Sequence, residues 1–214
     1  MIVQAVTQEW ADIIDTADAI PASEEQARAS TYGLIAALLA RPPSDVLMES
    51  LIQIPQRSDH DDGPMALAWD ALRDAGKAAP TIEILKHEYH DLFIGVGRGE
   101  LVPFGSWYQT GFLMDRPLSS LRDDLKRLGF KRQDDVKEPE DHIAALCETM
   151  AMLIEDQDIA FAEQRAFYQN HIDCWAGRFF SDLTQAENAT FYRAVGDFGG
   201  HFIQFENRYL EMLT

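Results

Sequence analysis

The sequence predicts an all-α fold, a bundle of roughly eight to ten helices. Apolar residues recur at spacings of three and four, as they do on the buried face of a helix. The clearest such stripe consists of Val195, Phe198, Phe202, Phe205, Tyr209 and Met212. No stretch alternates apolar and polar residues as a half-buried strand does. Both observations favour helices and disfavour a sheet.

Length, composition and charge bound the class of protein. The chain has 214 residues, 46% of them hydrophobic, enough for one sizeable core or two small helical domains. We expect a single all-helical domain over 1–214. The formal net charge of −18 repels nucleic acid and anionic membranes and suits a basic partner. The start, MIVQAVTQEW, lacks a basic signal-peptide region, and the longest apolar run is too short to span a bilayer. We therefore expect a cytoplasmic protein with no stable membrane insertion.

Serine and proline mark the helix boundaries in the first part of the chain. Ser23 and Ser44 are placed to cap helices, and Pro42-Pro43 ends the first one. The face of that first helix consists of Tyr32, Ile35, Leu38 and Leu39. The predicted elements are a helix after Ser23, a second from Ser44 through Ile52, a loop over 55–63, a helix over 64–75 and another from Pro80 through Phe93.

Glycine and proline interrupt the helical pattern over 94–117. Connections of this length in compact domains are often functional or hinge-like. The helices predicted after it cover 118–128, 139–155, 158–170, 173–184 and 188–213. Gly199-Gly200 would weaken the last helix, which predicts that another helix approaches it closely there.

The segment KEPEDH at 137–142 is consistent with a helix start. Pro139 suits the first helical position, and Glu140 and Asp141 then fall in the first turn, where they interact well with the helix dipole. This does not account for His142, at the edge of the apolar stripe. Taken alone, the segment favours a structural role over a binding site.

Most catalytic and metal-binding patterns are absent from the sequence. There is no Glu-x-x-His pair and no His-Glu-x-x-His helix, and the glycines at 95–100 do not match a phosphate-binding loop. No serine or cysteine has an evident base partner, and neither Cys147 nor Cys174 belongs to a CxxC pair. Cys147 lies on an apolar stripe and is expected to be a buried thiol. We expect no catalytic residue, no metal and no cofactor, and therefore a binding protein rather than an enzyme.

Several motifs together resemble the TorD/DmsD/NarJ-type redox-enzyme maturation chaperones. An aromatic residue followed by Leu-Phe occurs in EYHDLF at 88–93, and a Pro-aromatic-Gly-Ser-x-aromatic element follows at 103–108. The Glu-Pro-x-Asp-His element lies at 138–142, and His171-Ile172 with Trp175 resembles a His-Leu-x-x-Trp motif. The order and spacing of these motifs carry the resemblance, which extends from about residue 30 to the end.

The resemblance implies an all-α chaperone of the bacterial cytoplasm. Members of this family bind the twin-arginine signal peptide, or another part, of an apo molybdenum or tungsten oxidoreductase. They delay its export until the cofactor is inserted. The resemblance implies a client-binding protein with no cofactor of its own.

The physics of such a client predicts which residues form the site. A twin-arginine signal presents two guanidinium groups beside an apolar stretch, so its receptor needs carboxylates and an apolar groove. Glu138, Glu140 and Asp141 would supply the carboxylates, with His142 beside them. The remaining predicted client-binding residues are Tyr89, Leu92, Phe93, Pro103, Phe104, Ser106 and Tyr108.

Other interpretations remain open at this stage. Leu92, Phe93 and Pro139 are also consistent with packing alone, and that structural interpretation is weakest for Asp141 and His142. The alternative function is an uncharacterised helical enzyme or a nucleotide-binding hydrolase. A long hinge would permit either a monomer or a domain-swapped dimer. The sequence does not identify the client oxidoreductase.

Overall fold

The computed structural model describes residues 24–55, 63–131 and 138–212, and its regular structure there is helical. The α-helices are α1 (Glu24–Ala40), α2 (Asp45–Gln53), α3 (Pro64–Ala78), α4 (Ile82–Tyr89), α5 (Gly105–Thr110), α6 (Arg116–Arg127), α7 (Ile143–Glu155), α8 (Phe161–Tyr168), α9 (Cys174–Gln185) and α10 (Phe191–Met212). Two π-helical segments, His90–Ile94 and Gln169–Asp173, continue α4 and α8. Within the described ranges, strand-type pairing is limited to an isolated antiparallel bridge between Phe104 and His142. The all-α prediction is confirmed.

Local sequence signals place several helix ends correctly. The Ser44 hydroxyl accepts a hydrogen bond from the Leu47 N–H at 3.2 Å and caps α2 as predicted. Helix α1 ends at Ala40, directly before the Arg41-Pro42-Pro43 segment. Thr81 caps α4, one residue beyond the predicted start at Pro80. Ser23 and most of the predicted 55–63 loop lie outside the described residues.

Two predicted boundaries are wrong. The segment 94–117, predicted to be irregular, contains the short helix α5 and the start of α6. The helix predicted over 139–155 begins at Ile143, so Glu140 and Asp141 precede it rather than occupy its first turn. His142 has an extended conformation, with ψ of 137°, because its backbone joins the bridge to Phe104. A tertiary contact therefore overrides the local preference for a helix that begins at Pro139.

The described residues form two compact units, and the single domain expected over 1–214 stays a prediction. The first unit consists of the described residues of Met1–Ala40 together with those of Pro103–Ala176. The second unit consists of the described residues of Arg41–Val102 and Gly177–Thr214. One passage between the units, at 102/103, lies inside the segment considered as a hinge, and the hinge itself stays a prediction.

The core of the first unit forms where α1 packs against α7. Tyr32 and Leu38 on α1 are fully buried, as are Met150 and Leu153 on α7. Helix α7 is buried on nearly all sides, as expected of a central helix with apolar residues around its circumference. Cys147 is among these residues, and burial raises the pKa of its thiol, which confirms the predicted buried cysteine.

The core of the second unit forms where α10 packs against α3. The Trp69 ring meets the Phe198 ring edge to face, with centroids 4.4 Å apart. A Cβ atom at Gly199 would overlap the ring of Phe180. The predicted close approach to Gly199-Gly200 is thus confirmed, and Gly199 is the position that requires it.

Candidate functional site

Two sequence motifs meet in the first unit through backbone hydrogen bonds. The Gly105 N–H donates to the Asp141 carbonyl oxygen at 2.8 Å, and the Ile143 N–H donates to the Pro103 carbonyl oxygen at 2.9 Å. This pairing places the ring of Phe104 edge-on to His142, with centroids 5.0 Å apart. The segment 103–108 and the turn formed by residues 138–142, called here the acidic turn, therefore form one structure.

Asp141 is the buried centre of the acidic turn. Its residue is 3% exposed, and its Oδ2 accepts a hydrogen bond from the Ser106 N–H at 2.7 Å, at the start of α5. Its Oδ1 is buried and has no hydrogen-bond partner among the described residues. Nearly all buried polar atoms in proteins are paired, so an unpaired carboxylate oxygen suggests a missing donor. Asp141 positions α5 and keeps one acceptor for another group.

Ser106 connects Asp141 to an exposed apolar turn. Ser106 is fully buried, and its hydroxyl accepts a hydrogen bond from the Met114 N–H at 3.1 Å. Helix α5 ends at Gly111, which is left-handed with φ of 80°, and Met114 has a positive φ of 58°. The three residues after Gly111 have large apolar side chains that are exposed to solvent: Phe112 is 70% exposed, Leu113 47% and Met114 69%.

This apolar turn, residues 112–114, is a feature that sequence reasoning missed. Three consecutive exposed apolar side chains are unusual on a soluble protein and commonly mark an interaction site. The run Phe-Leu-Met after a glycine, inside a segment already singled out as irregular, was the available clue. The periodicity of a helix or strand did not indicate this turn, because exposed apolar residues in a turn follow no period.

Glu140 is bound by an arginine of the same unit. The Nε and Nη2 atoms of Arg122, on α6, lie 3.0 and 2.8 Å from Oε2 of Glu140. This hydrogen bond raises the pKa of Arg122. The Glu140 side chain is 16% exposed and that of Arg122 is 47% exposed, so the pair lies at the surface. Glu138 is exposed, although partial desolvation raises the pKa of its carboxyl.

His142 has a clear structural role in the acidic turn. It is the N-cap of α7, and its Nδ1 accepts a hydrogen bond from the Ala144 N–H at 3.1 Å. Burial lowers the pKa of His142 to about 4. The ring is consequently neutral at pH 7, with its proton on Nε2. A contact of His142 with a client stays a prediction.

The predicted C-terminal motif supports α5 from inside the first unit. The Trp175 Nε1–H donates to the His171 carbonyl oxygen at 2.7 Å, and its ring packs on Tyr108 with centroids 5.4 Å apart. A Cβ atom at Gly105 would lie 3.0 Å from Trp175 Nε1, so glycine allows this close packing. Tyr108 is 9% exposed. These residues hold α5 in place, and a contact of Tyr108 with a client stays a prediction.

The other predicted groove residues lie in the second unit. Leu92 is fully buried and Tyr89 is 6% exposed. The Phe93 ring contacts both Tyr89 and Tyr192, with centroids 5.0 and 5.4 Å away. These three residues form part of an aromatic core around the first π-helical segment. A client groove that combines them with residues of the first unit stays a prediction.

Sequence reasoning also missed two structural carboxylates in the second unit. Glu88 Oε1 accepts hydrogen bonds from the Thr190 and Tyr192 N–H groups, both at 2.7 Å, at the start of α10. Glu100 accepts from the Glu187 and Asn188 N–H groups at 2.6 and 3.1 Å. Both carboxylates fix the connection between α9 and α10; Glu88 lies in the motif segment 88–93, and Glu100 lies between that segment and 103–108.

The two helical units define the class as an all-α protein. None of the helices in 24–55, 63–131 and 138–212 is long and apolar enough to cross a membrane. The family described as "Nitrate reductase delta subunit" matches residues 58–181, more than half of the sequence. The chain belongs to this family, that of the TorD/DmsD/NarJ-type redox-enzyme maturation chaperones.

Individual relatives agree with that assignment. The chain is 27% identical over 158 residues to a protein named "Chaperone protein TorD" from Vibrio atlanticus, covering 67% of this chain and 74% of the relative. It is 24% identical over 203 residues to a TorD chaperone of Vibrio parahaemolyticus, covering 86% and 94%. It is 32% identical over 115 residues to a "Probable Tat proofreading chaperone DmsD" from Haemophilus influenzae, covering 52% and 54%.

A solved structure supports the fold. A protein from Archaeoglobus fulgidus, named as a redox enzyme maturation protein, superposes with a TM-score of 0.52 at 16% identity. The match covers 88% of this chain and 97% of that chain. At this identity the similarity concerns the helical fold alone.

Proposed function

We propose that this protein is a cytoplasmic maturation chaperone for a molybdenum or tungsten oxidoreductase. It binds the twin-arginine signal peptide, or another part of the apo-enzyme, and assists cofactor insertion before export. The observation that carries the proposal is the connection through Ser106. Asp141 holds the Ser106 N–H at 2.7 Å, and the Ser106 hydroxyl holds the Met114 N–H at 3.1 Å. An acidic turn and an exposed apolar turn are thereby fixed to one another.

This pair of surfaces matches the two parts of a twin-arginine segment. Guanidinium groups are recognised best by carboxylates, which accept forked, charge-assisted hydrogen bonds. Glu140 and Asp141 supply carboxylates, and Phe112, Leu113 and Met114 supply exposed apolar surface. The net charge of −18 speeds the approach of a basic segment. The site proposed here lies wholly within the first unit.

The enzyme alternative has less support. The nearest arrangement to a catalytic pair in the first unit is His171 Nε2 with Asp124 Oδ2, at 2.8 Å. His171 is 7% exposed, and burial lowers its pKa although Asp124 opposes this. The carbonyl oxygen of the same residue accepts from Trp175, which anchors it under α5. This pair is explained by packing, and the relatives described above are named as chaperones.

The test is titration calorimetry with a peptide that contains two consecutive arginines followed by an apolar segment, and with its twin-lysine counterpart. We expect the arginine peptide to bind more tightly, and its binding to weaken with added salt. Glu140→Gln should weaken binding of the arginine peptide. A variant of the apolar turn is compared with Val96→Ser, because Val96 is also apolar and is fully exposed but lies in the second unit. Equal affinity for both peptides, unaffected by Glu140→Gln, would refute the proposed site.

A further inference from the structure

Arg122 presents to Glu140 the same chemical group that a client arginine would present. Its Nε and Nη2 atoms fork onto Oε2 at 3.0 and 2.8 Å. Arg122 and Glu140 are 18 residues apart in sequence, on α6 and in the acidic turn, so this pair is a tertiary contact and not a local helix pair. The carboxylate best placed for a client guanidinium is therefore already bound by an internal one.

A second carboxylate near this pair lacks a donor. Asp141 is close enough for its charge to contribute to the raised pKa of Arg122. Its buried Oδ1 nevertheless has no hydrogen-bond partner among the described residues. The acidic turn thus has acceptors for more guanidinium N–H groups than Arg122 supplies.

We infer that Arg122 is an internal substitute for a client arginine. It must release Glu140 when the client arginine binds there. This inference rests on the proposed function and concerns how the same site is regulated. In the unliganded chaperone, Arg122 compensates the charge of Glu140. When a client binds, its guanidinium takes over Glu140 and reaches toward Asp141, and the Arg122 side chain moves into solvent.

The exposure of the pair makes such an exchange feasible. The Arg122 side chain is 47% exposed, so it loses little when it returns to water. Exposed ion pairs contribute little net free energy, because solvent and salt screen them and long side chains lose freedom when they pair. The exchange also favours arginine over lysine, since only a guanidinium replaces the fork that it displaces. Arg122 would then set the minimum affinity that a basic segment needs in order to displace it from Glu140.

The same helix provides a matched control. Arg127 also lies on α6, and its side chain is 50% exposed. It pairs with Glu163 at 2.6 Å and with Asp124 at 3.3 Å, away from the acidic turn in sequence. Arg127→Gln removes one positive charge, as Arg122→Gln does, and it breaks the surface ion pairs with Glu163 and Asp124. A difference between the two variants therefore reports the site and not the net charge.

The experiment measures the affinity of the full chain, of Arg122→Gln and of Arg127→Gln for the twin-arginine and twin-lysine peptides. Melting temperatures are measured on the same preparations. Release of an exposed pair predicts that Arg122→Gln binds the arginine peptide roughly two- to five-fold more tightly than Arg127→Gln does. The lysine peptide should gain by the same factor, because the same internal competitor is removed for both peptides, so the discrimination between the two peptides should stay unchanged. In NMR spectra, the Arg122 Nε–H signal should shift on addition of the arginine peptide while that of Arg127 stays unchanged.

The outcomes separate the inference from the function on which it rests. If the peptide binds and Glu140→Gln weakens it, but Arg122→Gln binds no better than Arg127→Gln, the exchange is refuted and the proposed function stands. A lower melting temperature together with lower affinity in Arg122→Gln also refutes it, because Arg122 would then be a structural clamp. If the unaltered chain does not bind the peptide, the proposed function fails and the exchange fails with it.

Discussion

The two units use the same device, a buried carboxylate that holds backbone N–H groups, but they use it to different ends. In the second unit, Glu88 accepts two N–H groups at 2.7 Å and fixes the start of α10. In the first unit, Asp141 accepts one N–H group through Oδ2, and its Oδ1 has no hydrogen-bond partner in the part of the chain that the structure describes. The hydrogen bonds of Glu88 serve the fold alone, whereas those of Asp141 lead to an exposed apolar turn. We expect the acceptor that Asp141 retains, rather than its acidity alone, to make the acidic turn a binding site.

The largest effect should come from the second unit. Glu88→Ala removes the acceptor of two N–H groups at the start of α10, one of them buried, and should lower the free energy of unfolding by about 4 kcal/mol. Client-peptide affinity per folded molecule should stay unchanged. Glu83→Ala, an exposed residue of the same helix paired with Lys86, is the control and should change stability by less than about 0.5 kcal/mol. A selective loss of affinity in Glu88→Ala would break the contrast between the units.

The pH dependence of stability should report the buried cap of the acidic turn. Burial lowers the pKa of His142 to about 4, below its usual value near 6.5 in an unfolded chain. The unfolded state therefore binds the proton more readily, so this contribution is complete above about pH 6.5 and is lost as the pH falls toward 4. Its size is about 3 kcal/mol by linkage.

The comparison for this prediction is His142→Asn, which retains a side-chain acceptor for the N-cap but does not titrate. Denaturant unfolding of both proteins between pH 4 and 8 measures the difference in slope. Since carboxylates elsewhere also titrate in this range, the difference between the two proteins is the quantity of interest. Parallel pH profiles would mean that the folded protein binds a proton at His142 as readily as the unfolded chain does, and that the cap differs from the one described.

The role of Asp141 Oδ1, which has no partner among the described residues, can be tested by removing the charge of the side chain with little change of its shape. Asp141→Asn retains an oxygen that accepts from the Ser106 N–H, so α5 and the apolar turn should keep their positions. Affinity for the twin-arginine peptide should fall by about 2 kcal/mol, as expected for one lost charged hydrogen bond. Calorimetry and the melting temperature are measured on the same preparation. A large loss of stability with unchanged affinity would make Asp141 as purely structural as Glu88.

Sequence reasoning located what depends on local pattern and missed what depends on tertiary contact. The stripe that includes Val195, Phe198 and Phe202 predicted α10 correctly, and Ser44 predicted the start of α2. Both signals are local, because periodicity and capping act within a few residues. The start of α7 was misplaced because the bridge between His142 and Phe104 joins residues that are 38 positions apart in the sequence. A local pattern contains no information about such a contact.

The candidate site shows the same division. The acidic turn and the segment 103–108 were identified from their motifs, and the structure brings them together. The pairing of Glu140 with Arg122 was not foreseen, since nothing in either segment specifies it. Tyr89, Leu92 and Phe93 were assigned to a groove from their family motif and their apolar character, which does not distinguish a core from a surface, and that groove stays a prediction. The exposed residues 112–114 had no periodic signature and were overlooked.

The smallest expected effect concerns the apolar turn and sharpens the comparison furthest. Phe112 is 70% exposed, so Phe112→Ser should change the free energy of unfolding by less than about 0.5 kcal/mol. If the turn binds the apolar part of a client, covering this ring contributes about 1 kcal/mol, because only part of its surface leaves water. Affinity should fall by about five-fold and become no more sensitive to salt. Val96→Ser, at a fully exposed apolar position in the second unit, should leave affinity unchanged. If the two variants lose affinity equally, client contacts extend over both units, and the distinction between a binding unit and a scaffold unit must be abandoned.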